Sequence, residues 1–161
     1  MKNLILSTFL FISLLSKGQN KAIDSVLNKY TSGEIPYISV DSLSKYKNAI
    51  LLDAREIEEY NVSHLKNAIH IGYLNPDFIK LKSIDKTKNI VVYCSIGIRS
   101  EEIAIKLKNK GFNKVYNLYG GIFAWKDSGY AVFDIRENET HKVHTFSKKW
   151  SEYLNTGDKV Y

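Results

Sequence analysis

The only cysteine of this 161-residue chain, Cys94, lies in a pattern typical of a nucleophile. The β-branched apolar run from Ile90 to Tyr93 ends directly before it, and a short loop with Gly97 and Arg99 then leads into a helical pattern. The thiol is therefore expected at the carboxyl end of a strand and against the amino end of a helix. Unpaired backbone N–H groups and the helix dipole favour an anion there, in this case a thiolate or a sulfur-bearing adduct.

Alternating strand and helix patterns must position this cysteine. Strands are predicted at residues 38–40, 49–53, 68–71, 90–93 and 115–118. Helical segments are predicted at residues 56–60, 77–81, 100–110 and 122–127. This alternation predicts an α/β domain with a mainly parallel sheet flanked by helices. Ligands of such folds bind outside the carboxyl ends of the strands, where Cys94 would lie.

The amino end is predicted to lie outside that domain. We interpret residues 1–18 as a secretory signal peptide, because Lys2 precedes an apolar segment that is too short to span a bilayer comfortably. The alternative is an uncleaved membrane anchor. Cleavage would leave an exported protein, expected in the periplasm, with no stable membrane insertion. A lone thiol outside the cytosol has no internal disulfide partner and is open to oxidation, so Cys94 is expected to be either buried and inert or used. Its position where a strand passes into a loop favours use.

The remaining chain divides into three predicted parts. Residues 19–36 are expected to form an amphipathic helix and a lead-in, and residues 37–133 hold the alternating strands and helices. Residues 134–161 are expected to form a linker and a C-terminal amphipathic helix, because apolar residues at 143, 146, 150, 153 and 154 recur at helical spacing. That helix would either dock on the domain or present a face to a protein partner.

The charge and the histidines exclude two other kinds of site. The formal net charge is +6, but the basic residues are scattered and form no stripe with interleaved aromatics. We therefore expect a solvated cationic surface and no nucleic-acid partner. The pair His141 and His144 lacks a metal-ligand pattern, so neither a metal nor another cofactor is expected.

Three stretches together resemble the rhodanese (sulfurtransferase) homology domain. They are Leu52–Glu56 with Glu59, Tyr60 and His64–Ile71, then Cys94–Ser100, and finally Gly111 through Gly120, Gly121 and Trp125 to Gly129. The resemblance covers nearly all of residues 37–133. It implies a three-layer α/β domain whose cysteine takes a sulfane sulfur from thiosulfate or a persulfide and holds it as a persulfide. The sulfur would then pass to a thiol or to cyanide.

The resemblance makes Cys94 the expected catalytic residue. Backbone N–H groups of the loop could converge on a persulfide anion, and Gly97 would let the loop curl. Arg99 could anchor an anionic donor, or it could be a plain surface arginine. The expected substrate-binding residues are Ser95, Ile96, Gly97, Ile98, Arg99, Ser100 and Arg55. Because Ile96 and Ile98 leave the loop with a single cation, a persulfide or polysulfide donor is our hypothesis, rather than the compact dianion thiosulfate.

A second group of residues is expected to support the structure. Asp53 and Arg55 resemble the family's internal ion pair, although Arg55 could also face the pocket. His64 is expected to be a hydrogen-bonded scaffold residue rather than a general base. The expected structural set is Asp53, His64, Gly120, Gly121 and Trp125.

The spacing between Cys94 and Arg99 argues against one other class of enzyme. Cysteine phosphatases place an arginine six positions after the cysteine, where this chain has Ser100, and Arg99 at five gives a smaller cradle. A rhodanese-type arsenate reductase that uses an external thiol stays open. A non-catalytic rhodanese-like binding module, with the C-terminal helix as its contact surface, also stays open.

Overall fold

The computed structural model describes residues 22–161, and the predicted signal peptide lies outside the described residues. The first element is helix α1 (residues 22–30), in which Ile23 and Leu27 are buried and the residues between them are mostly exposed. No helix in the described part of the chain is long and apolar enough to cross a membrane.

A five-stranded parallel sheet forms the centre of the domain. Its strands are β1 (Tyr37–Ile38), β2 (Ile50–Asp53), β3 (Ile69–His70), β4 (Asn89–Tyr93) and β5 (Lys114–Leu118). The helices after α1 are α2 (Val40–Lys45), α3 (Ile57–Val62), α4 (Ile98–Asn109) and α5 (Gly121–Asp127), with a 3₁₀ turn at Phe78–Leu81. The strand order is β1-β5-β4-β2-β3, and every pairing is parallel. The predicted α/β architecture is confirmed.

The central strand β4 is buried on both faces because helices cover both sides of the sheet. Successive side chains of a strand point to opposite faces. Accordingly, Val91 and Tyr93 join a core cluster with residues of α2 and α5, and Ile90 and Val92 join a second cluster with residues of α4. These two cores give the three layers expected, and they hold the end of β4 in the middle of one edge of the domain.

The predicted C-terminal amphipathic helix is wrong. Strand β6 (Val132–Phe133) pairs with β7 (Glu139–Thr140), and β8 (Lys142–His144) pairs with β9 (Asp158–Val160). Between β8 and β9 the chain forms only a 3₁₀ turn, Trp150–Tyr153. Val143 is buried within a strand, and Phe146 has a φ of 64°, which an α-helix cannot accommodate. The helical spacing predicted the wrong structure because the backbone of this segment forms its hydrogen bonds with residues distant in sequence.

Candidate active site

The cysteine lies where the sequence predicts it, directly after β4 and before α4. Cys94 is buried, and Gly97 is the N-cap residue of α4. The backbone N–H of Gly97 donates a hydrogen bond to Cys94 Sγ at 3.1 Å, and the Ser100 hydroxyl lies 3.4 Å from the same sulfur. Gly97 has a φ of 118°, which residues with a Cβ rarely adopt. The loop therefore turns one N–H donor and one hydroxyl toward the sulfur.

A buried amide of strand β5 holds this loop in place. Asn117 Nδ2 donates a 2.7 Å hydrogen bond to the Gly97 carbonyl, and Asn117 Oδ1 accepts one of 2.7 Å from the Ser100 hydroxyl. Ser100 has one hydroxyl hydrogen, so donation to Asn117 competes with donation to Cys94 Sγ. Asn117 was not among the site residues predicted from the sequence. Its signal was a polar residue inside an otherwise apolar strand pattern.

The start of α5 supports the loop from its carbonyl side. The N–H groups of Ile122 and Phe123 donate to the carbonyls of Cys94 and Ser95 at 2.9 and 3.2 Å. This approach requires glycine at 121, where φ is 55° and a Cβ would collide with the Cys94 carbonyl oxygen. The preceding Gly120 (φ 71°) is the N-cap residue of α5. Both glycines thus have the structural role expected of them.

Helix α1 packs behind the same loop. A Cβ on Gly97 would lie 3.3 Å from Leu27 Cδ2, and one on Gly120 would lie 3.6 Å from Ile23 Cδ1. The two buried residues of α1 therefore face the two glycine turns that shape the site.

Arg99 is paired with a buried carboxylate. Its two terminal nitrogens donate to Glu59 Oε2 and Oε1 at 2.7 and 2.8 Å, and one of them also donates to the Ser95 hydroxyl at 3.0 Å. Burial raises the pKa of Glu59, but hydrogen bonds from Arg99 and its charge outweigh burial and hold that pKa below its ordinary value. Arg99 is therefore neither a free anchor for an anion nor a plain surface arginine. The sequence pattern did not predict Glu59 as the partner of Arg99.

A cavity of about 230 Å³ opens over the cysteine. It is lined by Cys94, Ser95, Ile96, Ile98, Arg99, Phe146 and Trp150. The Phe146 ring covers the Arg99 guanidinium, with 5.3 Å between the guanidinium carbon and the ring centroid. The lining is mostly apolar, and the C-terminal segment supplies two of its residues. Neither Phe146 nor Trp150 was predicted at the site from the sequence.

Arg55 does not line this cavity, which corrects its predicted place among the substrate-binding residues. Arg55 is fully buried, and its guanidinium donates to Asp53 Oδ2 and to the Ser63 carbonyl, each at 2.6 Å. Burial lowers the pKa of Arg55, but the charge and hydrogen bonds of Asp53 more than compensate and raise it above its ordinary value. Arg55 and Asp53 are thus an internal ion pair, the structural alternative given above.

The other two residues of the structural set, His64 and Trp125, are held by contacts within the domain. His64 is buried, stacks on Tyr60 with 4.0 Å between ring centroids, and has its ring nitrogens 3.1 Å from the Tyr60 carbonyl and 3.2 Å from Glu137 Oε1. Trp125 donates its indole N–H to the Ala131 carbonyl at 2.9 Å. Neither lines the cavity. Within residues 22–161, no three His, Cys, Asp or Glu residues are grouped to hold a metal ion.

Proteins of other organisms are similar in sequence to this chain. The chain is 33% identical over 93 residues to the thiosulfate sulfurtransferase GlpE of Coxiella burnetii, a match that covers 58% of this chain and 86% of that protein. It is also 33% identical over 108 residues to a tRNA uridine(34) hydroxylase of Escherichia coli, covering 62% of this chain but only 31% of that protein.

Solved structures and a family model also match this chain. The rhodanese-like domain of an Anabaena protein superposes with a TM-score of 0.57 at 25% identity, over 64% of this chain and 82% of that one. A Bacillus halodurans protein gives a TM-score of 0.56 at 25% identity, over 69% and 85%. The model of the rhodanese-like domain matches residues 39–128, which include the cysteine loop, Asn117 and the start of α5. The chain therefore belongs to the family of rhodanese-like domains.

Proposed function

We propose that this protein is a sulfurtransferase that moves a sulfane sulfur from a donor to a thiol or cyanide through a persulfide on Cys94. The observation that carries the proposal is the hydrogen bond from the Gly97 N–H to Cys94 Sγ at the start of α4. Anions are stabilised at such a position, and both the attacking thiolate and the persulfide product are anions. The similarity to a thiosulfate sulfurtransferase supports the same class of reaction.

In the first half-reaction, the Cys94 thiolate attacks the outer sulfur of the donor. A new S–S bond forms, and the donor's own S–S bond breaks with its electron pair on the leaving group, which is sulfite from thiosulfate or a thiolate from a persulfide. In the second half-reaction, an acceptor thiolate or cyanide attacks the terminal sulfur, and the Cys94 thiolate leaves. Atoms and charge balance in each half, and no external oxidant or reductant is needed.

For the donor, a persulfide or polysulfide fits the site better than thiosulfate. Among the described residues that line the cavity, Arg99 is the one cation, and it already shares its charge with Glu59, while Ile96 and Ile98 are apolar. A dianion would have to give up its hydration for a cradle with little net positive charge. Turnover with glutathione persulfide should therefore exceed turnover with thiosulfate. A clear preference for thiosulfate would count against this choice of donor.

Loading of the cysteine tests the central step. After incubation with thiosulfate or glutathione persulfide, intact-protein mass spectrometry should show the gain of one sulfur atom, and Cys94→Ser should prevent that gain. Failure of every donor to load Cys94 would favour a non-catalytic binding module.

Addition of arsenate with an external thiol to the same preparation tests the arsenate reductase alternative, since a sulfurtransferase should leave the arsenate unreduced.

We also propose that the reaction takes place outside the cytosol, in the periplasm, after removal of the leader. The apolar segment at the amino end supports this proposal. Expression of the whole chain followed by cell fractionation should recover, in the periplasmic fraction, a protein whose mass lacks residues 1–18. Recovery in the membrane fraction at full mass would support a retained anchor.

A further inference from the structure

Phe146 occupies a backbone conformation that costs free energy without serving the core. Its φ of 64° lies in the left-handed region, which bulky side chains rarely adopt, and its side chain is 55% exposed. The neighbouring Thr145 is buried and bonded to the Val160 carbonyl by its N–H at 2.8 Å. The N–H of Phe146 itself donates to His144 Nδ1 at 3.1 Å. The β8–β9 pair thus holds the ring of Phe146 in a defined, solvent-exposed position.

That place is the mouth of the cavity above the cysteine. The ring of Phe146 covers the guanidinium of Arg99, and Trp150 from the following 3₁₀ turn lines the same cavity. Because Glu59 takes both terminal nitrogens of Arg99, the covered guanidinium offers an incoming donor little charge. What the cavity offers instead is two aromatic side chains in the lining that also contains the reacting cysteine.

We propose that Phe146 and Trp150 determine donor specificity by binding the apolar group of an organic sulfane-sulfur donor, a thiosulfonate or a persulfide with an alkyl or aryl substituent. This inference rests on the proposed sulfurtransferase function. The cavity of about 230 Å³ is smaller than the ~300–1,000 Å³ typical of drug-sized ligands, and it suits a substituent of a few atoms. With a thiosulfonate, the Cys94 thiolate forms the new S–S bond, and the sulfinate leaves with the electron pair of the broken one.

Three donors with the same transferable sulfur separate charge from apolar contact. They are thiosulfate, methanethiosulfonate and benzenethiosulfonate, and the measured quantity is the rate constant for sulfur loading of Cys94 by intact mass. In the full-length protein we expect benzenethiosulfonate to load fastest. In Phe146→Gly and in Trp150→Leu, we expect the ratio of the benzenethiosulfonate rate to the methanethiosulfonate rate to fall by about tenfold, the size of a lost small apolar contact.

Two controls separate this effect from damage to the fold. Glycine adopts a positive φ freely, so Phe146→Gly should not lower the melting temperature. Ile135→Ala removes another exposed apolar side chain of the C-terminal segment that does not line the cavity, and it should leave the donor ratio unchanged. Equal loading of the wild-type protein by both thiosulfonates, or equal slowing of both in Phe146→Gly, would overturn the specificity proposal and leave sulfur transfer standing. Failure of all three donors and of glutathione persulfide to load Cys94 would overturn both, whereas loading by glutathione persulfide alone would overturn the specificity proposal only.

Discussion

The guanidinium of Arg99 and the carboxylate of Glu59 form a two-pronged ion pair between the cysteine loop and helix α3, with N–O distances of 2.7 and 2.8 Å. The two residues are 40 positions apart in the chain. The pair joins the loop to α3 and also sets the charge of the cavity. We therefore expect this pair to affect both the stability of the domain and the choice of donor.

Replacing Glu59 by Gln should destabilise the domain and favour anionic donors. We expect a loss of about 3 kcal/mol in the free energy of unfolding, near the lower end for a broken buried pair, because Arg99 retains some exposure. Loading by thiosulfate, a dianion, should become faster relative to loading by methanethiosulfonate, a monoanion, since the charge of Arg99 is freed. Urea unfolding and the two loading rates measure these effects. Glu58→Gln, at an exposed position on the same helix, should change neither.

The same carboxylate predicts how stability depends on pH. Because the pKa of Glu59 is lowered in the folded state, its contribution is fully present above the unfolded value, near 4.5, and is lost as pH falls through the folded value. The free energy of unfolding of the wild-type protein should therefore fall more steeply below about pH 4.5 than that of Glu59→Gln. Urea titrations from neutral pH to pH 3 give both curves. Parallel curves would show that the pair does not contribute.

Replacing Asn117 by Ala should disorder the cysteine loop more than it weakens the sheet. The change removes a donor to the Gly97 carbonyl and an acceptor for Ser100, at a cost of about 1–3 kcal/mol for buried groups left unpaired. We expect sulfur loading of Cys94 to slow by roughly tenfold or more, since misplaced donors no longer meet the anion. Asn113→Ala, at an exposed position before the same strand, is the matched control. Normal loading in Asn117→Ala would show that the loop keeps its shape without the amide.

Replacing Gly121 by Ala should be far more harmful than replacing another glycine of positive φ. Gly129 has a φ of 85° and open space where a Cβ would lie, so Gly129→Ala carries backbone strain alone, about 1 kcal/mol. Gly121→Ala adds a collision with the Cys94 carbonyl oxygen and an approach of 2.6 Å to the Ser95 carbonyl oxygen. Thermal unfolding should show a clearly larger drop for Gly121→Ala, together with loss of sulfur loading. Equal drops for the two variants would contradict the close packing of α5 on the loop.

The buried pair of Asp53 and Arg55 should contribute to stability and not to sulfur transfer. Asp53→Asn leaves a buried guanidinium without its counter-ion, and we expect a loss of about 3–5 kcal/mol. The double variant Asp53→Asn, Arg55→Met should recover part of that loss, because it removes the uncompensated charge. In each variant, the fraction that remains folded should load sulfur at the wild-type rate. A slower rate at full folding would assign Arg55 to the site after all.

The sequence by itself determined where the proposed nucleophile, Cys94, lies. The β-branched run before Cys94 makes a buried strand, and Gly97 and the following helical pattern place the thiol at a helix amino end. These are properties of neighbouring residues, so local patterns suffice to predict them. The parallel sheet and the order of the motifs follow in the same way from alternating strand and helix signals.

Only the tertiary structure decided what surrounds the thiol. Strand β5 pairs with β4, and that pairing brings Asn117 to the loop, while the fold over α3 buries Glu59 and leaves Glu58 exposed. Adjacent glutamates look alike in a sequence, because burial depends on packing with distant segments. The C-terminal segment shows the same limit. Its apolar spacing predicted a helix. Instead, hydrogen bonds between residues some 15 positions apart form the strands β8 and β9. The same pairing places the Phe146 ring over the guanidinium of Arg99.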